Sequence, residues 1–110
     1  MIAPPITEKQ FQRQVTELAE MLGWDWCHFR TAINARGMYQ TPVSGTVGKG
    51  WPDLFLMRAR DGRRLALELK AEAGRPTPEQ LHVIALLNVC MIDAYWFRPR
   101  DWDRIQEVLR

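Results

Sequence analysis

A predicted β-hairpin constrains the fold of this chain more than any other feature. The strand-like residues 53–58 are followed by Asp61-Gly62, a strong hairpin-turn signal. In the returning strand, residues 64–71, three leucines alternate with Ala66, Glu68 and Lys70. Because successive side chains of a strand point to opposite faces, the pattern predicts one apolar face and one face that carries a carboxylate and an ammonium group.

The turn length sets which residues of the two strands face each other. If Asp61-Gly62 is a two-residue turn, Asp53 lies opposite Lys70 and Phe55 lies opposite Glu68. Directly opposed residues share a face, so Asp53, Glu68 and Lys70 are predicted to converge at the open end of the hairpin. A longer loop would alter this register.

Such a cluster has a defined chemistry. Two adjacent carboxylates repel each other, and a buried one costs several kcal/mol unless it is paired. Mg²⁺ or Mn²⁺ would relieve that cost, keep several waters and accept phosphate oxygens. A nearby ammonium could orient or deprotonate the attacking water and stabilise charge on a pentavalent phosphate. The alternative is a structural ion pair, in which Lys70 only neutralises Asp53 or Glu68.

The rest of the chain predicts helices on either side of this hairpin. Thr7 with Gln10, and Thr77 with Gln80, form two capping-box patterns at helix starts. The predicted order is α-β-ββ-α-β-α in one domain, residues 1–110. The elements outside the hairpin are a helix over about 7–22, a short strand around 26–31, a long loop over 33–50, a helix over about 77–90, a strand over 94–97 and a helix over about 102–110, which Asp101 is expected to cap.

Composition narrows the class of protein. The chain has 110 residues, of which 46% are apolar and 25% are charged, as is ordinary for a globular protein. No apolar run reaches the ~20 residues of a membrane span, and the N-terminus does not resemble a signal peptide. We therefore expect a cytoplasmic protein without a membrane partner. Cys27 and Cys90 are far apart, form no zinc pattern and are expected to be reduced, buried thiols.

Basic residues are concentrated in the middle of the chain. The net charge is +2, but residues 30–64 hold seven basic side chains against two acidic ones. A local basic zone suits a polyanionic partner, and Arg30, Arg36 and Lys49 are the candidates for nucleic-acid contacts. The alternative is that these charges are simply solvated in a loop.

Several motifs together resemble a known nuclease family. Pro52-Asp53 and Glu68-Leu69-Lys70 look like the PD-(D/E)xK signature. With the further positions, the pattern resembles the VRR-NUC family over roughly residues 7–97, and stand-alone members of phage type are similar in length. Trp51 stands where related sequences often have another apolar residue. The further positions are Glu8, Gln12, Gly50, Gly74, Pro78 and Gln80.

The resemblance implies a three-layer αβα, restriction-endonuclease-like α/β fold around a central mixed sheet. It implies that Asp53, Glu68 and the main-chain carbonyl of Leu69 bind metal and that Lys70 is catalytic. It also places Glu8 and Gln80 at the site. Glu8 has a second explanation, since an acid in a first helical turn complements the helix dipole, and Gln80 has one in its capping box.

The expected function is that of a Mg²⁺- or Mn²⁺-dependent DNA endonuclease in a phage or bacterial host cell. In some members of the family, activity is selective for branched or junction DNA, as in Holliday junction resolvases. One site per chain would cut two strands most simply as a homodimer. The alternatives are a nucleic-acid-binding module that does not cleave and a nuclease that acts on RNA.

Overall fold

The computed structural model of the protein describes residues 5–29, 32–33, 35–37, 39–40 and 43–110. In that part of the chain, short 3₁₀ turns lie at Gly48–Gly50 and Pro99–Asp101. The helices and strands, in chain order, are α1 (Glu8–Met21), β1 (Asp25–His28), β2 (Ala32–Ile33), β3 (Tyr39–Gln40), β4 (Leu54–Arg58), β5 (Arg63–Leu69), α2 (Pro78–Val89), β6 (Asp93–Phe97) and α3 (Trp102–Leu109).

Four strands form the central sheet in the order β1-β4-β5-β6. β4 pairs antiparallel with both β1 and β5, whereas β5 pairs parallel with β6. The sheet is therefore mixed, as predicted. The span expected to be one long loop holds more structure than the sequence indicated, since β2 and β3 pair as a small antiparallel hairpin and a 3₁₀ turn follows at Gly48–Gly50.

Helices cover both faces of this sheet. The leucines of β5 at 65, 67 and 69 pack with Phe11 and Val15 of α1 and with Ile105 and Leu109 of α3. On the opposite face, Ala66 of β5 packs with Val83 and Leu87 of α2. The predicted three-layer αβα architecture is confirmed, and Glu68 of β5 lies on the α2 side, where it contacts Gln80.

The predicted hairpin register is wrong by two residues. The structure pairs Arg58 with Arg63 and Phe55 with Ala66, so the connecting loop has four residues, 59–62. Continuing this register places Asp53 opposite Glu68, where the sequence had predicted Lys70. Because side chains alternate with a period of two, a slip of two residues preserves every face. The predicted convergence of the three site residues survives the error.

Both predicted capping boxes are present at the helix starts. The Thr7 hydroxyl accepts from the Gln10 main-chain N–H, and the Gln10 side chain accepts from the Thr7 N–H. Thr77 and Gln80 repeat this arrangement at α2. Asp101 does not cap α3 with its side chain, because its carboxylate instead accepts a hydrogen bond from the main-chain N–H of Arg98.

At the closed end of the hairpin, Arg58 contacts the ends of two helices. Arg58 is 3% exposed, lies 4.4 Å from the Trp24 ring centroid and donates to the carbonyls of Leu22 and Leu109. These carbonyls end α1 and α3, where a positive charge is favourable. Arg58 pairs with Arg63, which lies ~17 Å along β5 from Glu68 at ~3.3 Å per residue. Arg58 therefore stabilises helix termini, although it belongs to the basic zone that the sequence suggested for a polyanion.

Both cysteines are free, as expected, but the expectation that they are buried is wrong. Cys27 and Cys90 are exposed. Cys27 pairs with Phe55, which shares the α2 side of the sheet with Ala66. β1 is the strand farthest from α2, so this part of the face is left open. In the described residues, no helix is both long enough and apolar enough to span a membrane.

Candidate active site

Glu68 forms the centre of a polar cluster at the open end of the β4–β5 hairpin. It lies in β5 and is 1% exposed. Its Oε1 lies 3.4 Å from the Lys70 ammonium nitrogen and accepts a hydrogen bond from Gln80 Nε2 at 3.1 Å. The ion pair and the α2 contact fix this carboxyl group inside a largely apolar sheet face.

Asp53 joins the cluster from the residue before β4. Its Oδ2 accepts the Leu69 main-chain N–H at 3.2 Å, which ties its side chain to the end of β5. Within a strand, the N–H and the carbonyl of one residue point to the same edge. The Leu69 carbonyl therefore faces the Asp53 side as well, which suits the metal-ligand position that the resemblance assigned to it.

The electrostatics of Glu68 favour its neutral form in the absence of a cation. Burial raises the pKa of Glu68 to about 8, the negative charge of Asp53 adds to the rise, and Lys70 partly offsets it. The second oxygen, Oε2, is buried and has no hydrogen-bond partner among the described residues. In the neutral form, the Glu68 proton can be shared with Asp53, whose side chain lies within hydrogen-bond range. When Glu68 is ionised, this buried oxygen has no donor among the described residues, which is costly and favours a bound cation.

Gln80 combines the two roles that the sequence left as alternatives. Its Oε1 accepts from the Thr77 main-chain N–H at 2.8 Å, which completes the capping box of α2. Its Nε2 is then directed to Glu68. The cap thus orients the amide, and the amide holds the carboxylate.

Glu8 lies at the first turn of α1, within electrostatic range of this cluster. Partial desolvation raises the pKa of the Glu8 carboxyl, the charge of Asp53 raises it further, and Lys70 opposes both effects. The residue as a whole is exposed. The structure therefore brings Glu8 near the site but, unlike Glu68, leaves it accessible to water.

These donors fit a hard divalent cation only with the help of water. Within the described ranges, no three His, Cys, Asp or Glu side chains are arranged to hold a metal ion. Asp53, Glu68 and the Leu69 carbonyl provide an open, all-oxygen set, and Mg²⁺ typically keeps several waters and binds through one or two carboxylates. The unpartnered Glu68 Oε2 is the observation that supports such an ion.

Gly50, which the resemblance named only as a motif position, helps to position the site. A Cβ atom at Gly50 would lie 2.3 Å from the Glu79 carbonyl oxygen. The 3₁₀ turn therefore packs directly against the first turn of α2. The turn precedes Asp53, and α2 carries Gln80. A glycine in a loop shortly before the motif was the available signal, but only the structure shows what it contacts.

The structure describes two of the three candidate nucleic-acid residues. The Lys49 side chain is 82% exposed and pairs with Glu79 at 3.4 Å, beside the N-terminus of α2. Arg36 is exposed. Arg30 lies outside the described residues, so its predicted role has no structural counterpart here.

The fold is similar to that of a solved protein structure. A solved "VRR_NUC domain" matches with a TM-score of 0.64 and 19% sequence identity, and the match covers 94% of this chain and 96% of that one. No family model matches the sequence, and no curated protein matches it. At this identity the likeness shows a shared fold. The chain therefore has the VRR_NUC fold that the sequence resemblance predicted.

Proposed function

We propose that this protein is a Mg²⁺- or Mn²⁺-dependent DNA endonuclease whose site comprises Asp53, Glu68 and Lys70, with Glu8 and Gln80 beside them. The single observation that carries the proposal is the environment of Glu68: a carboxyl group that is 1% exposed, whose Oε2 receives no hydrogen bond from the described residues, beside a second carboxyl group and an ammonium group. A merely structural ion pair would need only one of the two carboxylates.

Each side chain has a part in this chemistry. Asp53, Glu68 and the Leu69 carbonyl would hold the cation, which when bound activates water and neutralises charge on the scissile phosphate. Lys70, 3.4 Å from Glu68, positions the attacking water and stabilises negative charge that develops on phosphorus oxygens. Gln80 keeps Glu68 in place. Glu8, within electrostatic range of the cluster, would accept a hydrogen bond from a water molecule at the site.

Lys49 and Arg36 are proposed to contact the DNA backbone outside the site. Lys49 is on the 3₁₀ turn that precedes Asp53, so a duplex lying across the site would pass near it. Removing either charge should make the dependence of log K on log salt shallower by about 0.9 for each phosphate that is no longer neutralised. An unchanged slope in Lys49→Gln would remove this residue from the binding surface.

The exposed side of α2 is proposed as a homodimer contact. Residues 81–92 contain no charged side chain. Leu81, Leu86, Val89 and Met91 are between 40% and 78% exposed. A two-fold contact brings each residue near its own copy, so a charged face would repel itself, whereas this uncharged apolar face is self-complementary.

A substrate panel tests the proposed activity. Linear, flapped, splayed and four-way DNA, and matched RNA, would be incubated with Mg²⁺, Mn²⁺ or EDTA. We expect metal-dependent cleavage of at least one DNA structure and none in EDTA. Binding without cleavage under every condition would favour the non-cleaving module, and cleavage confined to RNA would favour a ribonuclease.

A further inference from the structure

The parallel pairing of β5 with β6 brings two more residues beside the proposed site. Glu68 pairs directly with Trp96, and Leu69 pairs with Phe97. The pairing continues to Lys70, whose main-chain N–H donates to the Phe97 carbonyl at 2.9 Å. One further step in this register places Arg98 next to Lys70, on the same side of the sheet, at the strand spacing of ~4.8 Å.

Arg98 is a half-buried cation whose side chain has no carboxylate partner among the described residues. Its guanidinium carbon lies 4.8 Å from the Trp96 ring centroid. Its Nε is buried and makes no hydrogen bond within that part of the chain. The pKa of Glu72 is lowered mainly by the hydrogen bond that its carboxylate accepts from Arg100, and the charge of Arg98 contributes less.

Arg98 is the only arginine of the described residues with a buried guanidinium nitrogen that makes no hydrogen bond. Arg58 satisfies its guanidinium with Asp61 and helix carbonyls, Arg100 with Glu72, and Arg104 with Glu107. The terminal nitrogens of Arg98 neither hydrogen-bond to the described residues nor appear among their buried unpaired atoms, so they can reach a ligand. A partly buried guanidinium without a carboxylate partner suits a phosphate group, because two of the phosphate oxygens can accept from its parallel N–H donors.

We propose that Arg98, oriented by the Trp96 ring, binds the DNA phosphate next to the one that is cleaved. The inference rests on the proposed function, because Lys70 marks the scissile phosphate. Successive phosphates of one strand advance by ~3.4 Å along the helix axis and lie farther apart through space, because the strand also turns. The long side chains of Lys70 and Arg98 start from adjacent strands and can span that separation. Trp96 acts as a positioning residue, since its ring restricts the guanidinium by cation–π contact.

The test is a phosphate scan by binding in EDTA, which does not depend on catalysis. Each phosphate of a short duplex is replaced in turn by an uncharged methylphosphonate, and affinity is measured for the unmodified protein, Arg98→Gln, Arg98→Lys and Arg104→Gln. Arg104 is the matched control, because it is an exposed arginine on α3, which packs on the sheet face opposite the one that carries Glu68 and Trp96. Thermal melts run beside the scan verify that each variant is folded.

We expect Arg98→Gln to weaken binding about 10-fold, the scale of one charged hydrogen bond. One methylphosphonate position should weaken the unmodified protein similarly and leave Arg98→Gln unaffected. Arg98→Lys should retain part of the affinity, and Arg104→Gln should respond to every position like the unmodified protein. Equal sensitivity of Arg98→Gln at every position would overturn the inference, as would unchanged affinity in this folded variant.

The same experiment separates this inference from the proposed activity. If the unmodified protein binds DNA and shows the Arg98-dependent position but cleaves nothing with Mg²⁺ or Mn²⁺, the phosphate contact stands and the nuclease proposal fails. If it cleaves, and Arg98→Gln matches it in affinity, the nuclease proposal stands and the Arg98 contact is excluded. In a cleaving protein, the affected phosphate should also map next to the cut.

Discussion

The Gln80 amide nitrogen donates to Glu68 Oε1 at 3.1 Å, while the same amide caps α2 through Thr77. The helix start and the proposed catalytic carboxylate are therefore held by one side chain. Because the cap fixes which end of the amide is the donor, Gln80 can orient Glu68 without rearranging. The stability and the activity of this protein should be separable, because the Thr77 hydroxyl takes part only in the cap, whereas the Gln80 amide takes part in both the cap and the Glu68 contact.

Thr77→Ala and Gln80→Ala make that separation. Thr77→Ala removes a cap hydroxyl, so it should lower the free energy of unfolding by about 1 kcal/mol and leave cleavage near normal. Gln80→Ala also removes a hydrogen bond to a charged group, so the cleavage rate should fall by at least about 10-fold. Urea unfolding and single-turnover cleavage measure the two effects. Equal activity losses in both variants would mean that Gln80 acts only through the helix.

The free energy of unfolding of the metal-free protein should decrease as pH rises from about 4.5 to about 8. The unfolded chain has an ordinary glutamate, whereas burial raises the pKa of folded Glu68 to about 8. Between these values the folded state binds the extra proton, so raising pH favours unfolding, by up to about 1.4 kcal/mol per pH unit. Glu68→Gln carries no proton to lose and should show a flatter profile.

Urea unfolding at several pH values in EDTA measures this dependence. Added Mg²⁺ should oppose the loss at high pH, because it binds the ionised carboxylates and replaces the proton. Identical pH profiles for the unmodified protein and Glu68→Gln would show that Glu68 titrates normally in the folded state.

Lys70→Ala should abolish cleavage while DNA binding persists, because binding is distributed over many charges. At about pH 6 its free energy of unfolding should change little, since Glu68 is then neutral and needs no counter-ion. Melting curves, DNA binding and cleavage are compared at that pH. If Lys70 is only a counter-ion for the two carboxylates, the folded variant will still cut with Mg²⁺ present.

Val89→Lys should convert a dimer to a monomer, because it places like charges across a two-fold axis at the exposed side of α2. Met21→Lys is the matched control: Met21 also ends a helix and is 82% exposed, against 78% for Val89. Sedimentation velocity at micromolar concentration gives the oligomeric state of each. A monomeric unmodified protein, or a dimer that tolerates Val89→Lys, would exclude this surface.

The layers and the cluster were predictable because they rest on local patterns. Alternation in β5 fixed which face carries Glu68 and Lys70, and capping pairs fixed the starts of α1 and α2. The register was not predictable in the same way, because a four-residue and a two-residue loop both suit Asp61-Gly62. Since the two registers differ by an even number of residues, the site prediction did not depend on the loop length.

Contacts between distant segments account for what the sequence could not indicate. Arg98 follows β6, which pairs with β5 although α2 separates the two strands in sequence. Its place beside Lys70 therefore depends on the parallel register. Arg58 belonged to an apparent basic zone, yet its charge is used at helix termini that come from residues 22 and 109. In both cases the function of the charge depends on partners far away in sequence.

The most direct test of the central claim is single-turnover cleavage by Glu68→Gln at about pH 8 with Mg²⁺, beside its stability in EDTA. Glutamine resembles the protonated glutamate in shape, so the variant should be folded and more stable than the unmodified protein at this pH. We expect that it nevertheless loses cleavage of the preferred DNA substrate. Cleavage at the unmodified rate by this folded variant would contradict the account, because Glu68 would then have no part in binding the metal.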